Sequence, residues 1–381
     1  MRKKLLALAM AGVMATATMT ACDDSSDSSE ASGGTNTSNG GKARVGVILP
    51  DTKSSQRWGN DDPKYLQAAF DKAGVPVEIQ NAQGDEANFI KIGESMINSG
   101  VKVLIIASLD AASGKAVLDK ARQNKIPTID YDRLTLNGGA DYYVSFDNED
   151  VGRQQARALS KCLEQRNVAN PVIAELNGSK SDNNATLFKN GYDEILQPMY
   201  DNAQAKKGPD QWVPGWEPEE AEKIFKQMIG QAPNIGGVLA ANDGIAGAVI
   251  KVLKAKGLNK RVPVTGQDAT LEGVQAVLTG DQCVTIFKPL EQEAAAAANV
   301  AIALFKGQKP QVTDKIKDPE SGAYIPFKSI LAQSITKDKI NNVINAGFID
   351  KNKLCAGAYA KLCTANKIGV PASADTDADA E

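Results

Sequence analysis

Short apolar runs recur along this chain of 381 residues, each ending abruptly in polar side chains and most followed by a helical pattern. Runs that are apolar on both faces belong to strands covered by helices on either side, and so to parallel sheets built from right-handed βαβ units. A first series comprises Arg44 to Pro50, Val75 to Gln80, Val101 to Ala107, Ile126 to Ile129 and Tyr142 to Phe146. Helices are expected between them. One is capped by Asp61 with Pro63 in its first turn, a second covers Glu86 to Asn98, and a third is capped by Asp110. A fourth runs from Asp147-Asn148-Glu149 to Gln165. A second series comprises Pro171 to Leu176, the extended stretch Gln211 to Trp216, Ile235 to Ala240, Val262 to Thr265 and Val284 to Phe287. An Ala-rich amphipathic helix follows over Leu290 to Phe305, and Tyr324 to Ile335 again has strand character. The pattern predicts an α/β protein with two doubly wound parallel-sheet domains. At 42% hydrophobic residues, the chain has material for two cores.

In open α/β sheets, ligands bind beyond the carboxyl ends of the strands. The residues there are unusually consistent in chemistry. The first series offers Arg57 and Trp58, then Asp132 and Arg133. The second offers Asp182, Asn184, Trp216, Asn242, Asp268 and Lys288. Carboxylates accept hydrogen bonds, guanidinium and ammonium donate, and amides do both. A polyol hydroxyl also does both, so this mixture suits a sugar, with Trp58 and Trp216 as flat platforms for its C–H faces. The three tryptophans, Trp58, Trp212 and Trp216, are all expected in loops. Asp268 has a second possible role as cap of the helix near Leu271, and Asp243 is assigned the cap of the helix before it and left out of the site. No Gly-x-Gly-x-x-Gly follows a strand and no Gly-Lys-Ser/Thr occurs, so dinucleotide and P-loop chemistry lack their fingerprints.

The chain contains no histidine, which removes the commonest general base and the histidine-based triads. Acid–base work would fall to Asp132 or Asp268, each beside donors that make it a poor proton carrier. No enzyme activity, cofactor or metal is expected. The formal net charge of −3, with no basic cluster outside the N-terminus, argues against nucleic acid as a partner. Residues 1–21 read as an export signal: Arg2, Lys3 and Lys4, an apolar stretch, then Met19-Thr20-Ala21 before Cys22. Small residues running into a cysteine resemble a bacterial lipobox, which makes Cys22 the expected lipidation site. Loss of the three basic residues takes the net charge from −3 to −6. Residues 22–42 are expected to form a flexible polar tether and residues 370–381 a disordered acidic tail. Export permits disulfides. Cys355 and Cys363, close in sequence, are expected to pair, while Cys162 and Cys283 either pair or stay buried and free.

Taken together, several segments resemble the type I periplasmic sugar-binding proteins, the solute receptors of ABC importers, and within them the D-xylose receptors. These are Arg57-Trp58, Tyr131-Asp132-Arg133, Ser145-Phe146-Asp147-Asn148-Glu149, Asp182-Asn183-Asn184-Ala185, Gln211-Trp212-Val213 with Gly215-Trp216, Ala241-Asn242-Asp243, Gly266-Gln267-Asp268-Ala269 and Lys288-Pro289. The resemblance spans about Val45 to Pro289. It implies that the ten residues at the strand ends contact a sugar, D-xylose, with glucose, galactose, arabinose and ribose as alternatives. It also implies a three-crossing hinge, with crossings near Asn148, Pro289 and Tyr324. The first lobe would comprise residues 43–148 and 289–323, and the second 149–288 and 324–369. Closure of the lobes would trap the ligand. The implied protein is a monomer that serves a membrane ABC permease and is lipid-anchored at the outer face of the cytoplasmic membrane. A sensor that presents sugar to a membrane signalling partner is the other reading. A repressor's sugar-sensing module shares this fold, but the export signal and the lack of an N-terminal DNA-binding helix pair stand against it.

Overall fold

A computed structural model describes residues 43–370. The signal segment, Cys22, the tether and all but the first residue of the acidic tail lie outside the described residues. Two separate parallel sheets account for the two series of apolar runs. The first is seven-stranded. Its first five strands in chain order are β1 (Val45–Leu49), β2 (Val77–Asn81), β3 (Val103–Ile106), β4 (Thr128–Tyr131) and β5 (Tyr142–Phe146). The second consists of β6 (Val172–Asn177), β7 (Lys206–Trp212) and β8 (Ile235–Ala240), and β9 (Thr285–Phe287) lies beside it in a separate two-stranded pair. Three further strands follow, β10 (Asp314–Lys317), β11 (Tyr324–Ile330) and β12 (Gln333–Ile335).

The first sheet has the order β10-β11-β5-β4-β3-β1-β2, and β10 is its one antiparallel member. Every residue of β1, β3 and β4 is buried, as their apolar runs require. Helices α1 (Arg57–Ala73), α2 (Glu86–Asn98) and α3 (Ala111–Gln123) wind around this sheet. The second sheet has the order β7-β6-β8 and carries α4 (Asn148–Gln165), α5 (Asn183–Asp201), α6 (Pro218–Gln231) and α7 (Asp243–Ala255). Helix α8 (Leu271–Thr279) lies between α7 and β9, and α9 (Leu290–Phe305) returns to pack in the core of the first sheet. The expected strand Val262–Thr265 is reduced to one parallel bridge, Val238 to Val264. Val264 and Gly266, the latter just past the segment, still accept hydrogen bonds from the Cys283 and Ile286 amides, which tie the β9–β12 pair to it.

The chain passes between the two sheets near Asp147, at Lys288-Pro289 and at Leu331-Ala332. The third crossing corrects the expectation of one near Tyr324. Strand β11 pairs in parallel with β5, from Phe327 opposite Tyr143 to Ile330 opposite Phe146. It therefore belongs to the first sheet, and only β12 crosses, to pair antiparallel with β9 in a separate two-stranded sheet. Without Gly or Pro at the break, two strands read as one in the sequence. Phe146, Leu290 and Ile330, one from each crossing, form a small apolar cluster with Tyr65 and Phe348 packed against it. Disulfides join Cys162 to Cys283 and Cys355 to Cys363. The second closes a short loop in the C-terminal segment, which packs on α8 through Ile340, Val343, Ile349 and Leu354.

Helices α4 and α5 touch backbone to backbone at two glycines. A Cβ on Gly152 would lie 2.1 Å from the Phe188 carbonyl oxygen, and one on Gly191 would lie 2.0 Å from that of Glu149. Neither neighbour is a side chain that can turn aside, so Gly191→Ala must push the helices apart. The expected cost is about 1–3 kcal/mol, read as a lower midpoint in denaturant at unchanged slope.

Candidate functional site

The polar residues at the strand ends converge where the two sheets face each other. All ten residues singled out in the sequence line one small cavity of about 320 Å3, counting its open mouth. Ser54, Ser55, Phe188 and Gln267 line it as well.

After β1, Asp51 closes a tight turn. Its carboxylate accepts from the Lys53 and Ser54 amides at 2.8 and 2.7 Å and from the Ser54 hydroxyl at 2.7 Å. This turn presents Ser54 and Ser55 to the cavity. Helix α1 then begins at Arg57, ahead of the expected start at Asp61, so Arg57 and Trp58 occupy its first turn instead of a loop. Pro63 sits inside the helix and Asp61 does not cap it; the N-cap is Gln56. What holds the early start is tertiary. Arg57 donates from Nε and Nη2 to Asp62 at 2.7 and 2.6 Å, from Nη2 to Glu293 at 2.6 Å and from Nη1 to Asp132 at 2.7 Å. All four side chains are almost wholly buried. The Arg57 carbon at the fork centre lies 4.3 Å from the centroid of the Trp58 ring.

At the end of β4 the chain turns through Asp132, whose φ of +62° lies in the left-handed region. Asp132 receives bonds from both sides of the cavity. Its Oδ2 accepts from Arg57, its Oδ1 accepts from Asn184 at 3.1 Å, and Lys288 Nζ stands 3.6 Å away. Burial works against ionisation here, but the Lys288, Arg57 and Arg133 charges outweigh it and hold the carboxyl at about 2. Glu293 behaves in the opposite way. Burial raises it well above the usual carboxylate range, against the pull of Arg57 and with the help of Asp132 and Asp62.

In the second half, Asp182 caps α5 through the Asn184 amide at 2.9 Å. Its other oxygen accepts from Trp216 Nε1 at 3.2 Å and lies 3.1 Å from Arg133 Nε. Trp216 closes a single 3-10 turn with φ +59°, and its ring lies on Gly178, where a Cβ would come within 2.0 Å of it. Phe188 meets that ring edge-on at 6.2 Å. Trp212 ends strand β7 and is not in a loop. Asn242, not Asp243, caps α7, through the Ile245 amide at 2.9 Å. Asp243 is instead a buried brace that accepts from Gln282, Thr270 and Thr285 at 2.7–3.0 Å. Thr270 caps α8, so Asp268 is no cap; at φ +92° it faces the cavity and accepts from Ser55 at 3.1 Å.

Three cavity atoms lack a hydrogen bond, although Asp182 Oδ2 stands 3.1 Å from Arg133 Nε and Lys288 Nζ 3.6 Å from Asp268 Oδ1. Arg133 Nε, Gln267 Oε1 and Asp268 Oδ1 are buried and make no hydrogen bond. The cavity charges sum to zero, with Arg57, Arg133 and Lys288 against Asp132, Asp182 and Asp268. A site of this kind suits a small neutral molecule that both donates and accepts. Among the described residues no cluster of His, Cys, Asp or Glu is arranged to hold a metal ion. Of the residues missed in the sequence, Phe188 follows Asn184 by four on α5, a helical spacing that places both on one face. Ser54, Ser55 and Gln267 sit at strand ends already singled out. Asp62 and Glu293 carried no signal, since only folding brings α1 and α9 together.

Residues 45–309 match the family model described as the periplasmic binding protein domain. The chain is 34% identical over 315 residues to the D-xylose-binding periplasmic protein of Escherichia coli (strain K12), covering 82% of this chain and 93% of that protein. It is 33% identical over 319 residues to the multiple sugar-binding periplasmic receptor ChvE of Rhizobium radiobacter, covering 79% of this chain and 88% of that one. Among solved structures it is similar to a carbohydrate transporter solute-binding protein from Chloroflexus aurantiacus in complex with D-glucose. The TM-score is 0.74 at 27% identity, covering 82% of this chain and 98% of that one.

The Arg57 cluster makes a definite prediction. Arg57→Met leaves three carboxylates buried without their shared cation, at an expected cost of about 3–5 kcal/mol. In that variant Glu293, already raised well above the usual carboxylate range by burial, loses the charge that pulls it down, so it folds most readily as a neutral acid and costs stability as pH rises. The deficit relative to the parent should be larger at pH 8 than at pH 5 in urea unfolding. In the parent, Asp132 has the opposite sign: its contribution is complete above the free value of 3.8 and fades as pH falls towards 2.

Proposed function

This chain belongs to the periplasmic binding protein domain family, a family of solute-binding proteins and not of enzymes, and from that membership we propose that it captures a single aldose, D-xylose, between its two lobes. The observation that carries the reading is the set of buried polar atoms without a hydrogen bond on both walls of a charge-balanced cavity. Arg133 Nε calls for an acceptor, and Gln267 Oε1 and Asp268 Oδ1 call for donors. Neighbouring hydroxyls supply both in one molecule, while an anionic or cationic ligand upsets the balance of three cations and three anions. Trp58 and Trp216 supply the apolar faces that a pyranose needs. The cavity is small and closely lined, which favours a monosaccharide over longer sugars.

In this reading all ten residues at the strand ends form the sugar site. The lobes close on the ligand about the three crossings, and the closed form delivers it to a membrane ABC permease. Cys22 is the proposed lipid anchor, placing the protein at the outer face of the cytoplasmic membrane. A second reading is reception of several aldoses, supported by the glucose-bound structural neighbours and the multiple-sugar relative.

Calorimetric titration of the purified protein tests the proposal. D-xylose should bind at one site with micromolar or tighter affinity. Analogues lacking one hydroxyl should lose roughly 1–3 kcal/mol, because each strands a buried partner. Heat with glucose but none with xylose would move the ligand to hexoses, and silence across the aldoses would overturn the reading. Trp216→Ala should abolish binding while far-ultraviolet circular dichroism stays unchanged.

A further inference from the structure

The described chain ends at the rim of a groove. Ile368 is buried in the C-terminal segment, and the Gly369 amide donates to Asn341 Oδ1 at 2.6 Å. Lys351 Nζ donates to the Gly369 carbonyl at 3.2 Å. Lys351 also lines the groove, a hollow of about 1570 Å3, counting its open mouth, between the lobes and next to the sugar cavity. One wall belongs to the first lobe, with Lys64 and Tyr65 of α1. The other belongs to the second lobe, with Leu271 of α8 and Phe348, Lys351 and Lys353 of the C-terminal segment. The three lysines are exposed, and none is ion-paired among the described residues; Lys64 Nζ lies over the Tyr65 ring at 5.4 Å. The groove has carboxylates as well, Asp61, Glu272 and Asp350. Asp350 accepts from the Asn352 and Lys353 amides at 2.7 and 3.1 Å, and Glu272 sits in the first turn of α8, where the helix terminus already favours its charge.

The sequence beyond Val370 answers this chemistry. Residues 371–381 contain four acids and no base. The acids are Asp375, Asp377, Asp379 and Glu381, and this period of two puts them all on one face of an extended segment, with Ala378 and Ala380 on the other. Eleven extended residues reach roughly 36 Å, about three helix diameters. A neighbouring groove suits the tail less, because its lysines Lys53 and Lys251 already face Glu217 at 3.9 Å and Glu222 at 2.7 Å.

We infer that the acidic tail, residues 371–381, docks in this groove, with its carboxylates on Lys353, Lys351 and Lys64 and its alanines towards Phe348 and Leu271. A tail rooted in the second lobe and held by Lys64 of the first spans the lobes as a strap. It interacts with both walls only while they are close, so it favours the closed form. The consequence for sugar rests on the receptor reading: the strap slows release of the ligand held between the lobes.

Carbodiimide cross-linking of the full chain, read by peptide mass spectrometry, tests the docking without any sugar. Lys351 adjoins the root of the tail in any case, so Lys64 decides. Asp377, Asp379 or Glu381 should be joined to Lys64 within one chain, in preference to exposed lysines outside the groove such as Lys337 and Lys361. An equal mixture of isotopically light and heavy protein separates links within a chain from links between copies. Links only between copies overturn the proposal, as do links scattered without preference for Lys64. The strap is tested by D-xylose release from the parent, from a variant ending at Val370 and from Lys64→Gln. Exposed ion pairs contribute little each, so truncation should speed release roughly 3- to 10-fold at low ionic strength, and Lys64→Gln by less. Both differences should vanish at about 1 M salt, where screening is strong. Release that truncation leaves unchanged overturns the strap. If the parent protein binds no aldose, the receptor reading fails instead, while the cross-link to Lys64 still decides the docking.

Discussion

The Arg57 guanidinium is the interaction around which the site is arranged. Four of its five N–H groups are engaged by Asp62, Glu293 and Asp132, in a region with almost no access to water. Removing four charged groups from water is costly, and their mutual attraction offsets that cost only when the geometry is good. Its value here is positional. Asp62 and Glu293 hold the rear of the fork, and Nη1 is left directed at Asp132. The cluster also explains why α1 starts a full turn earlier than its own sequence suggests, and why α9 returns to the first sheet after the second crossing.

Three of the cavity residues, Asp132, Trp216 and Asp268, have left-handed backbone without being glycine. Such conformations cost of order 1–3 kcal/mol each and persist only where surrounding structure demands them. Here each turns the chain sharply at the end of a strand or just beyond one. A residue that continued in extended geometry would send its side chain along the sheet and not into the crevice. The neighbouring contacts that hold Asp132 and Asp268 in place include bonds from the opposite lobe, so placement of the walls and approach of the lobes are linked.

Most of the fold was legible because it depends on local pattern. Apolar runs such as Val103 to Ile106 are buried on both faces, and that requirement is written in consecutive residues. Where a boundary depended on distant partners, the pattern misled. The joined reading of Tyr324 to Ile335 missed the crossing at Leu331, since strand pairing with β5 or β9 is not encoded in the segment itself. The cap assignments at Asp61 and Asp243 failed for a related reason. Both are good capping residue types, but Asp243 is recruited by Gln282 and Thr285 and Asp61 lies inside a helix begun by Arg57.

By itself the sequence determined the chemistry at the strand ends and the parallel α/β architecture, because residue type and apolar periodicity are local properties. Only the tertiary structure decided which of those polar groups face one another. It paired Arg57 with Glu293, 236 positions apart, and brought Asn184 to Asp132 and Ser55 to Asp268 across the lobes. It also decided which groups in the cavity are left without a hydrogen bond, the property on which the proposed recognition of a ligand depends. Hydrogen-bond satisfaction is a matter of distances between elements, and no stretch of sequence carries those distances.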